Sequence, residues 1–341
     1  MKQYRLGKTE LIVSEVGFGG IPISRIPEEK AIKTLQHAIN LGINFIDTAN
    51  AYKDSEEKIG KAIKGIRDRL ILATKSTRRE KKELLTQIDN SLKMLQTDRI
   101  DLFQIHQVSG EENFNKVFAP GGAYEGALEA KGAGKILHIG VTSHRLQTAI
   151  DLVETDKFET IQFPANFIEI ESLQTLFPEA MKRDMGCIIM KPLGGGILDK
   201  PELCFKFLQQ FPEWIPIPGM SEIEEVEQII SLYKDKKALT EEDLKKIEQI
   251  KNNVGTEFCR RCAYCEPCPQ GVKVFAGMAI PRVLNNYGKY YDAQWFVEGA
   301  KSIEKCIECG LCEEKCPYNL PIRQTLKKNK EYYDKITGNK S

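Results

Sequence analysis

The feature that most constrains the fold is a repeated alternation of short apolar runs with amphipathic stretches. Helix-like segments such as EEKAIKTLQHAINLG, with apolar residues three or four apart, separate runs rich in β-branched residues. The eight runs are 16–20, 44–49, 70–75, 100–106, 138–143, 160–166, 186–192 and 214–219. Eight strand-helix units predict an α/β fold of the (β/α)8 TIM-barrel type rather than an open doubly wound sheet. The preceding LGKTELIVSEVG predicts a hairpin that closes the barrel bottom.

The length of 341 residues leaves room for a small second domain after the barrel. We predict the barrel over residues 1–253 and the second domain over 254–341. Lys and Arg (49) nearly balance Asp and Glu (48), which favours neither nucleic acid nor an anionic membrane as partner. No apolar run approaches the roughly 18 residues that a bilayer span needs, and the start lacks an apolar signal segment. We therefore expect a cytoplasmic protein.

Four polar residues fall at or just beyond the carboxyl ends of neighbouring predicted strands. Asp47 ends the second strand, Tyr52 follows it, Lys75 ends the third and His106 ends the fourth. Each alone has a structural explanation: a turn, a packed aromatic ring, a snorkelling lysine or a core histidine. Active sites of α/β barrels lie at this rim, however, so the four side chains are expected to converge there.

The chemistry of these four residues is complementary. A tyrosine with a pKa of about 10 is a poor acid at neutral pH, but a neighbouring ammonium group favours the phenolate. Lys75 provides that group, Asp47 holds it, and a neutral His106 orients a carbonyl oxygen. The set predicts carbonyl reduction, or the reverse alcohol oxidation, with Tyr52 as general acid and base.

The order and spacing of Asp47, Tyr52, Lys75 and His106 resemble the Asp-Tyr-Lys-His tetrad of the aldo-keto reductase family. The stretch NFIDTANAYKDSEEKIGKAI is similar to the family's signature around its Asp and Tyr, and the resemblance covers roughly residues 4–250. It implies a (β/α)8 barrel that binds NAD(H) or NADP(H) without a Rossmann domain. It also implies a small-molecule carbonyl or alcohol substrate.

The resemblance further implies which residues hold the dinucleotide. Ser143 and Gln162 match the pair that binds the nicotinamide carboxamide. Two segments follow the seventh and eighth strands, where barrels bind phosphate. They are KPLGGGIL (191–198), with Pro192 and Leu193, and PGMSEIEEVEQ (218–228), with Gly219, Ser221 and Glu225.

Three positions depart from the family pattern. His144 replaces an asparagine after the serine, and Met190 replaces the aromatic residue that stacks on the nicotinamide. The basic residue that grips the 2'-phosphate of NADPH is replaced by acids: Glu222, Glu224 and Glu225. Because carboxylates repel phosphate, this favours NADH, although Ser221 with Glu224 also predicts a structural capping box.

Eight of the ten cysteines form two clusters near the C-terminus. The second has the bacterial ferredoxin spacing C-x2-C-x2-C-x3-C-P, and the first is one residue shorter before its last cysteine. In this pattern the cysteine before proline ligates the other cube, which predicts two [4Fe-4S] clusters. Their ligand sets are Cys259, Cys262, Cys265 and Cys316, and Cys306, Cys309, Cys312 and Cys268. Structural zinc and disulfides are the alternatives, while the isolated Cys187 and Cys204 fit buried small hydrophobes.

The long segment between the clusters is helix-like, so we predict a mostly helical iron-sulfur domain. Such a domain would link carbonyl chemistry to electron transfer and to a carrier of the ferredoxin or flavodoxin type. Hydride carries two electrons and a cluster accepts one, so a bound flavin is a further cofactor hypothesis. The alternative function is a catalytically weak barrel that binds or senses, with structural or sensory clusters.

Overall fold

The computed structural model describes residues 1–254, 258–260, 265–316 and 318–338. The chain divides into two compact units, Met1–Asp243 and Leu244–Ser341. The division falls within a helix that spans Glu241–Val254, before the boundary at 253 and 254 predicted from the sequence.

The first unit is built on ten strands. Their bounds are β1 Gln3–Arg5, β2 Ile12–Ser14, β3 Phe18–Gly19, β4 Phe45–Asp47, β5 Ile71–Ser76, β6 Ile100–Ile105, β7 Ile136–Thr142, β8 Thr160–Pro164, β9 Gly186–Met190 and β10 Trp214–Pro216. Strands β3 to β10 form one parallel sheet in chain order. The sheet closes on itself, because Gly17 N donates to Pro216 O (2.9 Å) and Gly19 N to Pro218 O (2.8 Å). The predicted (β/α)8 barrel is confirmed.

Helices follow the strands of the barrel and cover the sheet. They are α1 Glu28–Asn40, α2 Ser55–Ala62, α3 Lys81–Leu95, α4 Glu111–Phe118, α5 Ala123–Gly132, α6 Leu146–Glu154, α7 Glu171–Gln174, α8 Leu176–Lys182, α9 Pro201–Leu208 and α10 Ile223–Lys234. The next helix, α11 Glu241–Val254, contains the division between the two units. The apolar spacing seen in the sequence sets which face is buried. In α1, for example, Ala31, Leu35, Ala38 and Ile39 pack inward while the acidic first turn stays exposed.

The hairpin of β1 and β2 closes the amino-terminal end of the barrel, as predicted. Gly7 pairs with Met185 directly before β9, and Ser14 N donates to Asn44 Oδ1 (2.6 Å) directly before β4. Leu6 is fully buried in the barrel interior. The interior is therefore sealed at this end, and polar residues within it face the opposite rim.

All regular secondary structure in the described residues of the second unit is helical. Its helices after α11 are α12 Val274–Met278, α13 Ile280–Tyr287, α14 Gln294–Ser302, α15 Leu311–Glu314 and α16 Ile322–Thr337. Glycines allow them to pack closely: a Cβ at Gly299 of α14 would lie 2.2 Å from Ala276 Cβ of α12. This confirms the predicted mostly helical domain. Across the described residues, none of the helices combines the length and apolar character that a membrane crossing demands.

Candidate functional site

The structure brings the four predicted catalytic residues to the carboxyl end of the barrel. Asp47 is the last residue of β4, Lys75 lies near the end of β5, and His106 directly follows β6. All three are at least 95% buried, whereas Tyr52 is partly exposed in the loop after β4. Three buried polar side chains therefore lie together at the bottom of the site, and the Tyr52 phenol ring is accessible to solvent.

The loop that carries Tyr52 is fixed by its own hydrogen bonds. Tyr52 N donates to Ala49 O (2.9 Å), and Ser55 N donates to Tyr52 O (2.9 Å). The Ser55 hydroxyl donates to Gly20 O (2.8 Å) and contacts Thr48 Oγ1 at 2.9 Å. These contacts tie the loop between β4 and α2 to the neighbouring strand β3.

Distances within the tetrad place the ammonium group between the carboxylate and the phenol ring. Lys75 Nζ donates to Asp47 Oδ1 (2.6 Å) and to Thr48 O (2.5 Å). It lies 5.3 Å from the centroid of the Tyr52 ring. The Tyr52 and His106 rings meet edge to face, with centroids 6.0 Å apart.

Burial dominates the protonation of these groups. Desolvation raises the pKa of Asp47 despite its contact with Lys75, and it lowers the pKa of Lys75 despite its contact with Asp47. Burial also holds the pKa of His106 well below its ordinary value, with smaller contributions from the charges of Lys75, Arg79 and Lys191. The lowered pKa favours the neutral His106 imidazole at physiological pH.

Two side chains that support the tetrad were missed from the sequence. Gln104 is fully buried on β6, and its Nε2 donates to Asp47 Oδ2 (3.0 Å). Arg79 donates from Nη2 to the backbone oxygen of His106 (2.7 Å). The sequence did contain a signal for Gln104. Residues two apart in a strand face the same side, so Gln104 faces the barrel interior as Leu102 does, at a position where an apolar residue would be expected.

Ser143 and Gln162 lie together on adjacent strand ends, and both are buried. Ser143 N donates to Gln162 O (3.3 Å), and the Ser143 hydroxyl bonds to the backbone of Arg145. Gln162 Oε1 is a buried acceptor without a hydrogen-bond partner in the described part of the chain. An amide NH₂ group, such as the carboxamide of a nicotinamide, fits this acceptor.

The remaining predicted cofactor residues line the loops after β7 and β9. His144 Nδ1 is 3.3 Å from Lys191 Nζ, and His144 N donates to Ser109 Oγ. Met190 ends β9 and packs partly buried against the barrel interior. After Lys191, Pro192 is buried and Leu193 half-buried, and the glycines Gly194, Gly195 and Gly196 all have positive φ.

At the start of α10 the predicted capping box is wrong by one position. The box joins Glu222 and Glu225 instead of Ser221 and Glu224, because the helix begins at Ile223 and Glu222 is its N-cap. Glu225 Oε2 accepts from Ser221 N (2.7 Å) and Glu222 N (3.1 Å), and Glu222 pairs with Lys30. The exposed Gly219 precedes this turn. Carboxylates thus occupy the amino terminus of α10.

In the second unit, cysteines from both motifs surround one depression. Its walls include Cys265, Cys268, Cys306, Cys309 and Cys312, together with apolar side chains such as Val272, Val274 and Leu326. Cys316 is buried in the core of this unit, and Cys259 is partly buried against that core. Cys262 lies outside the described residues. Thiols along an apolar depression suit iron-sulfur ligation, although among the described residues no three metal-binding side chains stand close enough to hold one ion.

The loop between Cys306 and Cys312 curves around this depression. Its backbone has positive φ at Glu308 (55°) and Gly310 (84°). Arg323 of α16 fastens the loop, because its guanidinium pairs with Glu313 (2.7 Å) and donates to Glu308 O (3.1 Å). In contrast, Cys187 and Cys204 are buried in the first unit, where desolvation raises the pKa of Cys204 to about 12. This agrees with their interpretation as small hydrophobes.

Several known proteins are similar to this chain. The aldo-keto reductase YhdN of Bacillus subtilis is 31% identical over 217 residues, which is 58% of this chain and 64% of that protein. The L-galactose dehydrogenase of Arabidopsis thaliana is 30% identical over 230 residues, covering 62% and 69%. The chain thus spans just under two thirds of the length of the first relative and slightly more than two thirds of the length of the second.

Solved structures share the fold. An aldo-keto reductase from Bacillus halodurans in its holo form has a TM-score of 0.64 at 24% identity, over 73% of this chain and 96% of that chain. One from Klebsiella pneumoniae in complex with NADP and acetate has a TM-score of 0.62 at 23% identity, over 73% and 95%.

Family models match both parts of the chain. The model of the 4Fe-4S dicluster domain matches residues 258–320, the part that holds both cysteine motifs. The model of the Aldo/keto reductase family matches residues 15–204, more than half of the chain. The chain therefore belongs to the aldo/keto reductase family and carries a 4Fe-4S dicluster domain after its barrel.

Proposed function

We propose that this protein interconverts a small-molecule carbonyl and its alcohol, with Tyr52 as the general acid and base. The observation that carries the proposal is the buried Asp47–Lys75 pair, whose ammonium lies 5.3 Å from the Tyr52 ring centroid beside a neutral His106. A purely structural ion pair has no need of an accessible phenol above it.

Each residue of the tetrad has a defined part in moving the proton. Lys75 stabilises negative charge on the phenol oxygen, so Tyr52 gives up its proton to a substrate oxygen more readily than a free tyrosine. Asp47 keeps the ammonium oriented. His106, being neutral, offers a hydrogen bond to the substrate oxygen without adding a competing charge.

We propose that a nicotinamide dinucleotide binds at the same rim. Gln162 Oε1 and the Ser143 hydroxyl would hold the carboxamide, and the loops that contain Pro192, Leu193 and Gly219 would surround the phosphates. The Klebsiella relative was solved with NADP. When bound, such a cofactor supplies the hydride that reduces the carbonyl carbon. Because Glu222 and Glu225 line the start of α10, we propose a preference for NADH over NADPH.

For the second unit we propose two [4Fe-4S] clusters with crossed ligands. Support comes from the shared depression, which brings Cys265 and Cys268 of the first motif beside Cys306, Cys309 and Cys312 of the second. The other set is Cys259, Cys262, Cys265 and Cys316. We further propose that the clusters exchange electrons with the barrel, through a flavin if one binds, and with a small carrier of the ferredoxin or flavodoxin type.

Hydride transfer can be measured directly on anaerobically prepared full-length protein. A panel of aldehydes and ketones is incubated with NADH that carries deuterium at the reactive C4 position. We expect one deuterium at the carbinol carbon of the product for each NADH oxidised. Absence of turnover with both NADH and NADPH across the panel, or product without deuterium, would refute the proposed reaction.

The cluster link has a separate measurement. We expect the visible absorbance of the oxidised clusters to bleach when NADH is added anaerobically, and the bleached protein to reduce a flavodoxin. Clusters that stay oxidised while carbonyl turnover proceeds would show that the two units act independently.

A further inference from the structure

Gln104 donates a hydrogen bond to the buried carboxylate of Asp47, which also has side-chain hydrogen bonds with Lys75 and Gln162. It lies on β6, and its Cα pairs with that of Lys75 on β5. Its Nε2 donates to Asp47 Oδ2 at 3.0 Å, while Lys75 Nζ binds Oδ1 at 2.6 Å. The two oxygens of one carboxylate are thus held by side chains from two neighbouring strands.

The barrel interior makes space for this long side chain. On β7, Gly140 is the partner of Gln104 in the sheet register, and a Cβ at Gly140 would lie 2.1 Å from Thr160 Oγ1 and 3.1 Å from Gln104 Cγ, so the glycine leaves space for both side chains. Gln104 Oε1 is buried without a hydrogen-bond partner within the described ranges. The directed interaction of this amide is therefore its donation to Asp47.

Such a donor matters because the carboxylate has lost its solvent. A hydrogen bond to the ionised form favours ionisation, whereas burial opposes it. Lys75 is the charged group that faces Asp47 most directly, and its own charge depends on that carboxylate. The other charged or titratable groups around the pair are Glu56 of α2, His106, Arg79 in the loop after β5 and Lys191 after β9.

We propose that Gln104 is a positioning residue for the carbonyl-alcohol reaction. It keeps Asp47 ionised and oriented, so that Lys75 retains its proton and Tyr52 remains an effective acid and base. The inference rests on the function proposed above and adds a residue outside the tetrad.

Removing the donor has a predictable direction. The ionised pair of Asp47 and Lys75 becomes less favourable relative to its neutral form, so Lys75 loses its proton at lower pH. Tyr52 then loses a neighbouring positive charge, and its pKa rises. In alcohol oxidation, where Tyr52 must accept a proton, the acidic limb of the pH profile moves to higher pH.

The experiment compares full-length, cluster-containing Gln104→Met and Gln104→Leu with the native protein. The substrate is an alcohol identified by the deuterium-transfer panel, and kcat is measured against pH. We expect both variants to shift the acidic limb upward by about half a pH unit or more and to lose about tenfold in kcat at neutral pH. The matched control is Thr160→Val, since Thr160 is equally buried on β8 and its hydroxyl lacks a partner in the described chain.

The outcomes separate this inference from the proposed function. If the acidic limbs of the Gln104→Met and Gln104→Leu profiles coincide with that of the native protein, even at reduced kcat, Gln104 only supports folding and the inference is overturned. The same holds if Thr160→Val produces an equal shift. The acidic limb of the native kcat–pH profile should be absent from Tyr52→Phe. If the native protein has no such Tyr52-dependent limb, the proposed function itself is wrong.

Discussion

At the scale of single residues, the site depends on a buried ion pair whose members stabilise one another. Asp47 and Lys75 are both at least 98% buried and 2.6 Å apart. Burial alone would neutralise each of them, because an isolated charge is costly in a low-dielectric interior. We propose that the mutual attraction of the pair, with hydrogen bonds from Gln104 and to Thr48 O, holds a positive charge beside Tyr52 against this desolvation cost.

Removing the charge of one member of this pair should lower stability more than removing the charges of both members. We expect Asp47→Asn to lower stability by about 3 kcal/mol, because it leaves the Lys75 ammonium buried without its counter-charge. The double variant Asp47→Asn with Lys75→Met should recover part of that loss. Urea unfolding followed by far-UV circular dichroism measures both. Equal losses in the single and double variants would mean that the pair is not coupled.

At the scale of elements, β7 and β8 are joined by a partly buried carboxylate. Glu159, directly before β8, accepts from His138 Nδ1 (2.6 Å), Lys131 Nζ (2.6 Å) and Ile139 N (3.0 Å). Although burial raises the pKa of Glu159, these donors outweigh it and lower the value to about 2. The ionised form of Glu159 therefore stabilises the folded state.

This gives a pH-dependent stability effect. A carboxyl whose pKa is depressed by folding contributes above its unfolded pKa, near 4.3, and loses that contribution as the pH falls towards 2. We expect Glu159→Gln to lower stability by about 2 kcal/mol at pH 7 and by about half as much near pH 3. Thermal unfolding at the two pH values measures it. A loss that does not depend on pH would contradict the assigned cause.

The amino-terminal turn of α10 should decide between NADH and NADPH. Glu224 is exposed and takes no part in the capping box, so it can be changed without disturbing the helix start. We expect Glu224→Lys to lower KM for NADPH several-fold with little change for NADH, since one charge near a phosphate contributes about 1 kcal/mol. Glu241→Lys, in the first turn of α11, is the control. An unchanged ratio of the two KM values would place the 2'-phosphate elsewhere.

The elements themselves were largely predictable, but their exact contacts were not. Six of the eight barrel strands fall within the predicted runs, whereas β5 ends one residue beyond its run and β7 begins two residues before its run. The runs were recognisable because strands buried on both faces of a parallel sheet are continuous β-branched apolar segments. The capping box was displaced because Glu222 serves as N-cap in place of the more usual Ser221. Gln104 was overlooked because its role depends on the side chain of Asp47, two strands away.

At the scale of the whole molecule, two functional modules share one chain. Local spacing indicated a tetrad and two cysteine motifs, since strand ends and C-x2-C repeats are visible along the sequence. The approach of Cys265 and Cys268 to the second motif depends on how the intervening helices fold back, which spacing alone does not determine.

The crossed ligand sets predict a particular pattern of cluster loss. Native protein prepared anaerobically should contain about eight iron and eight sulfide per chain. We expect Cys268→Ser to damage the cluster held by Cys306, Cys309 and Cys312, and Cys316→Ser to damage the other. Cys204→Ser, which alters a thiol of the barrel, should leave the iron content unchanged. Loss of the Cys306 cluster in Cys316→Ser would contradict the crossing.

The most direct measurement of the central claim is the rate of carbonyl reduction by Tyr52→Phe. The substitution removes the phenol oxygen and keeps the ring, so we expect kcat to fall by about 10²- to 10⁴-fold while NADH still binds. The control is Tyr124→Phe, which removes a hydroxyl that donates to Lys157 O elsewhere in the barrel and should retain native activity. If Tyr52→Phe keeps most of its turnover, Tyr52 does not transfer the proton and the account is wrong.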